Sequence, residues 1–74
     1  MQLQVGKHYV TVSGLKARLT YVQPKDVQDA FPFIGHVRSG AEKFGMCWSL
    51  DGRNGETSAY DLHKEISEEA YAAP

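Results

Sequence analysis

Two stretches of strict alternation stand out along the chain. In the first, His8-Tyr9-Val10-Thr11-Val12 leads through Ser13-Gly14 into Leu15-Lys16-Ala17-Arg18-Leu19-Thr20-Tyr21. Side chains alternate faces along a strand. A two-residue loop at Ser13-Gly14 therefore sets Val12 against Leu15, Val10 against Ala17 and His8 against Leu19, with Tyr21 beyond on the same side. The other side carries Tyr9 beside Arg18 and Thr11 beside Lys16. This is the apolar-in, polar-out order of a half-buried antiparallel pair.

The second stretch behaves alike. Phe31, Phe33, Gly35 and Val37 alternate with Pro32, Ile34, His36 and Arg38, and Phe44, Met46, Trp48 and Leu50 alternate with Lys43, Gly45, Cys47 and Ser49. Joined through Ser39-Gly40-Ala41-Glu42, the strands place Val37 opposite Phe44, Gly35 opposite Met46, Phe33 opposite Trp48 and Phe31 opposite Leu50. Aromatic cross-strand pairs of this kind stabilise a sheet. Gly35 either leaves room for Met46 or marks a bend or bulge.

The segments between and after the hairpins are less regular. Gln23 to Ala30 is polar and has Pro24 near its start, the signature of a loop with one helical turn. Pro32 lacks a backbone donor and marks a strand start or an edge. Asp51-Gly52 and Asn54-Gly55 each suit a tight turn. From Thr57 the chain fits two elements: a helix capped by Ser58 with Leu62, Ile66, Ala70 and Ala73 on one face, or a fifth strand near 60–66.

The expected architecture is mainly β: a four- to five-stranded antiparallel meander, open or rolled into a small SH3-like barrel, with a C-terminal strand or short helix. Residues 1–69 form one domain and 70–74 a frayed tail. The expected core is Val10, Val12, Leu15, Leu19, Phe33, Val37, Phe44, Met46, Trp48 and Leu50. A lone sheet must bury its apolar face. Curling is expected, because Gly35 and Gly45 permit sharp bends; a homodimer is the alternative to a monomer.

Composition narrows the function. Seventy-four residues with one cysteine, Cys47, hold neither a disulfide nor a multi-cysteine zinc site. No stretch reads as a signal peptide, and no apolar run nears the roughly 20 residues of a membrane span. A cytoplasmic protein without membrane association is expected. Residues 1–53 carry seven Lys or Arg against four acids, a net +3, and residues 54–74 carry one Lys against five acids, a net −4. Neither half is charged strongly enough to imply nucleic acid by itself.

Candidate chemistry is sparse. His8, His36 and His63 lack ligand spacing, so no metal and no cofactor is expected. In the register above, His36 lies diagonally from Cys47, a partial Cys–His pairing on an outer face without depth for catalysis. Gly52-Arg53-Asn54-Gly55 lacks the lysine and helix of a phosphate loop. Carboxylates gather only in the tail. No catalytic residue is assigned, and the protein is expected not to be an enzyme. The remaining feature is a basic outer face with one aromatic: Tyr9, Lys16, Arg18, His36 and Arg38, joined by Lys43.

Gly6-x-x-Tyr9-Val10, a turn at Gly14, Pro32-Phe33-x-Gly35, Trp48-Ser49-x-Asp51-Gly52-Arg53 and Asp61-Leu62 follow one another in this order. In these motifs residues 5–63 resemble a group of short proteins of unknown function encoded in tailed phages and prophages. Ser13 stands where that pattern has Asp, and Phe31 where it has Tyr. The resemblance implies a small accessory protein in a bacterial cytoplasm, acting on a host or phage protein. It brings no catalytic residue. The expected function is thus non-enzymatic protein binding through the basic face, with a small β-barrel module for nucleic acid as the alternative.

Overall fold

A computed structural model describes residues 1–73. Five strands form one open antiparallel sheet: β1 (His8–Thr11), β2 (Lys16–Val22), β3 (Phe33–Ser39), β4 (Glu42–Trp48) and β5 (Leu62–Ile66). Their order is β4-β3-β2-β1-β5, so β1 to β4 run as a meander and β5 returns beside β1. A 3₁₀ turn (Ser58–Tyr60) precedes β5, and a short helix, α1 (Glu68–Ala72), follows it. The tail is therefore strand and then helix. Thr57 caps the 3₁₀ turn and Ser67 caps α1, in place of one helix started by Ser58. Residues 70–72, expected to fray, close α1, and Pro74 of that tail lies outside the described residues.

The β3–β4 hairpin has the expected register, with Phe33 opposite Trp48, Gly35 opposite Met46 and Val37 opposite Phe44. The β1–β2 hairpin does not. His8 pairs with Arg18, Tyr9 with Ala17 and Val10 with Lys16. The loop is Val12-Ser13-Gly14: the Gly14 N–H donates to the Thr11 carbonyl, the Thr11 N–H donates to the Leu15 carbonyl, and Gly14 has φ +89°. A turn followed by a left-handed glycine is the three-residue hairpin loop with its bulge. One extra loop residue slides β1 by one position and exchanges its faces.

The core follows from that shift. Tyr9, Ala17, Leu19, Val37 and Trp48 are fully buried, with Leu3, Phe33 and Leu62 around them and Leu15 and Met46 packed alongside. Val10 is only half-buried, and Val12 sits in the loop, 60% exposed. Phe44 and Leu50 also fall outside the core, at 46% and 73% exposure. Leu50 follows β4 in a turn that the Gly52 N–H closes onto the Ser49 carbonyl. Residues 49–61 and the N-terminal segment cover the core face: the Trp48 indole N–H donates to the Tyr60 carbonyl at 2.8 Å, and the Gln4 N–H donates to the Tyr9 hydroxyl at 2.9 Å. Among the described residues no fully buried side-chain nitrogen or oxygen lacks a hydrogen-bond partner.

The sheet ends are not joined into a barrel. Leu62 N–H donates to the Gly52 carbonyl and Asn54 Nδ2 donates to the Cys47 carbonyl, so a loop rather than a ladder spans from β4 towards β5. Gly35 serves β2 rather than Met46: a Cβ there would lie 1.9 Å from the Arg18 carbonyl oxygen. Opposite it the β2–β3 pairing shifts register between Leu19 and Tyr21.

Candidate interaction surface

The face of the sheet away from the core is built by register. Cross-strand partners share a face. One row runs Val10, Lys16, Arg38, Lys43; the next runs His8, Arg18, His36, Gly45. Four of the five residues expected at the binding face, Lys16, Arg18, His36 and Arg38, therefore come together with Lys43 and with His8. Tyr9 does not. It is buried on the opposite face against Ala17, because the three-residue loop turned β1 over.

Two other tyrosines supply the aromatic character. After the register shift, Tyr21 pairs with Ile34, which itself pairs with Cys47, so Tyr21 lies on the outer face in the row next to Arg18 and is 50% exposed. In a regular strand Tyr21 would share the side of Leu19, and nothing local in the sequence announces the bulge. Tyr71 reaches the same face from α1. Its ring lies 4.4 Å from that of His8, and the Arg38 guanidinium carbon lies 4.9 Å from its centroid. The Tyr71 hydroxyl shares a 2.8 Å hydrogen bond with His36 Nε2, and Arg38 donates to the Tyr71 carbonyl at 2.8 Å. Lys16 donates to the Ala73 carbonyl. The sequence signal for Tyr71 was its isolation as an aromatic in an acidic, helix-prone tail.

Electrostatically the face is one-sided. The ion pairs among the described residues are Lys7–Glu65 and Asp51–Arg53, both on exposed side chains. Arg18, Arg38 and Lys43 have no carboxylate within 4.0 Å among the described residues. The His36 imidazole is held below its ordinary pKa by partial burial first, then by the positive charges of Lys43, Arg18, Arg38 and His8. Local potential of one sign draws oppositely charged ligands, and exposed Tyr and Arg are residue types enriched at binding hot spots.

Other chemistry is thin. Cys47 is free, and His36, diagonal to it, is engaged by Tyr71. Among the described residues no group of three or more His, Cys, Asp or Glu side chains is placed to hold a metal ion. The surface depressions are open, including one lined by Met1, Leu3, Phe33 and Leu50 on the far side of the molecule. No helix among the described residues is long and apolar enough to cross a membrane. In comparisons with known proteins, no family model, curated protein or solved structure matches the chain.

Proposed function

We propose that the protein is a non-enzymatic binding module whose outer sheet face engages an acidic surface on a protein partner. The observation that supports this most directly is the cluster of Arg18, Arg38 and Lys43, none of which forms an ion pair among the described residues, on the same face as the half-exposed Tyr21. The motif resemblance to short phage-encoded proteins fits an accessory factor acting on a host protein in a bacterial cytoplasm. The test is charge reversal. The double variant Arg18→Glu, Lys43→Glu, both exposed positions, is expected to fold and to lose a partner retained from nuclease-treated bacterial lysate. A partner held equally by the variant would show that this face is not the contact.

Tyr21, one row from Arg18 and His36 on this face, also suits a stacked base beside phosphate contacts, so single-stranded nucleic acid is the second reading. Salt separates the two. Nucleic-acid affinity falls steeply, by orders of magnitude, between about 50 and 200 mM salt. Binding across a mixed protein interface changes less, chiefly in on-rate.

A further inference from the structure

Part of the basic face is already occupied by the chain itself. Tyr71 rests on His8 and His36 and under Arg38, and the carbonyls of Tyr71 and Ala73 accept hydrogen bonds from Arg38 and Lys16. The helix that carries Tyr71 starts with Glu68 and Glu69, and Glu68 borders the same depression as His8 and Arg18. This segment thus brings one aromatic ring, the acid Glu68 and two hydrogen-bonded carbonyls to a face made of guanidinium, ammonium and imidazole groups.

Its hold is slight. α1 spans five residues and buries none of them completely. Helices shorter than about 12 residues are marginal in water without tertiary packing, and here Tyr71 is the one partly buried side chain of α1, with two backbone carbonyls accepting from Arg38 and Lys16. Open states a few kcal/mol above the closed one are populated at roughly 0.1–10%.

We infer that α1 is a displaceable cover over the basic face, and that the partner site beneath it takes a short acidic protein segment carrying an aromatic side chain, in the place Tyr71 now holds. This rests on the binding-surface proposal above and names the partner chemistry of that same face. The chain's own segment is the guide to the occupant: an aromatic ring seated among His8, His36 and Arg38, with one acid, Glu68, bordering the depression that His8 and Arg18 also line. Because closed molecules do not bind, apparent affinity is the intrinsic affinity scaled by the open fraction.

The experiment titrates a fluorescent peptide of sequence Ser-Glu-Glu-Ala-Tyr-Ala-Ala onto the full chain, its Tyr71→Ala variant and its Tyr71→Phe variant, with folding followed by heteronuclear NMR. Tyr71→Ala is expected to bind the peptide about tenfold more tightly than the unaltered protein. Tyr71→Phe, which keeps the ring and loses the hydroxyl bond to His36, should gain less. A peptide with alanine for tyrosine should bind the Tyr71→Ala protein weakly. Equal or weaker binding by both folded variants overturns the cover while leaving the surface proposal intact. Tight binding that Arg18→Glu, Lys43→Glu does not weaken overturns the surface assignment. Absence of peptide binding by every form overturns both. A single-stranded oligonucleotide that outcompetes the peptide on Tyr71→Ala, or self-association of that variant in its place, overturns the protein-segment occupant.

Discussion

The two hairpins of the meander differ by one loop residue, and that residue decides which side of the sheet each strand presents. Between β3 and β4, Ser39 pairs with Glu42 and only Gly40-Ala41 intervene, with a positive φ of 63° at Gly40 alone. That is the pattern of a type II′ turn, whose twist matches the strands it joins. Between β1 and β2, Val12-Ser13-Gly14 intervene, and the buried Thr11 hydroxyl accepts from the Leu15 N–H to fasten the wider loop. A strand with apolar residues on one side orients itself whatever the turn, as β2 does with Ala17 and Leu19. A strand with apolar residues on both sides, as β1 has with Tyr9 and Val10, is oriented by its turn. The larger ring then goes inside, where aromatic side chains bury most area, and its hydroxyl finds Gln4.

The hairpins also differ in position. β1 is paired on both sides, by β2 and β5, whereas β4 is an edge. Burial along β4 rises only toward Trp48, where residues 49–61 fold over it. This contrast carries the largest expected effect. Trp48→Ala should destabilise by about 3–5 kcal/mol, which for so small a domain amounts to unfolding. Phe44→Ala, on the same strand and face but near half exposure, should cost about 1 kcal/mol or less. Urea titrations of the pair would break the contrast if Phe44 proved the costlier loss.

The orientation of β1 is open to a similar comparison. Tyr9→Ala should cost about 3 kcal/mol, and Val10→Ala about 1 kcal/mol. The reverse ranking would restore the two-residue loop. The turn itself is tested by Gly14→Ala. A Cβ at Gly14 meets nothing within 4 Å, so its expense is conformational alone, about 1–2 kcal/mol for a left-handed residue. A neutral result in thermal or chemical unfolding would mean that the loop does not hold its left-handed residue.

The smallest expected effect is on the basic face that both hairpins share. His36 has a folded-state pKa lowered from 6.5, so the unfolded chain binds the proton more readily. The associated stability is present above pH 6.5 and is lost as pH falls through the folded-state value. Unfolding free energy measured from pH 7.5 down to 5 should decline, and His36→Gln should flatten that decline. An identical slope in the variant would remove His36 from the account.

Local pattern alone determined the β class, the register of β3 against β4 from Phe33–Trp48 to Val37–Phe44, though not the further pairing of Phe31 with Leu50, the apolar side of β2, and the gathering of Lys16, Arg18, His36 and Arg38 on one face. Each of these depends on a period of two and on a turn that hydrophobic sorting specifies without ambiguity. Tertiary structure decided the rest. The face of β1 depended on a loop conformation. Tyr21 reached the outer face through a bulge opposite Gly35, where the β2 backbone closes onto β3. Phe44 and Leu50 look like core residues by pattern and are exposed, because the covering loop reaches only the Trp48 end of β4. Tyr71 belongs to the candidate surface because α1 folds back across the sheet, bringing it to His36, 35 residues away in sequence. Contacts over such separations are settled by which face has room and which charges lack partners, and neither is written in the spacing of neighbouring residues.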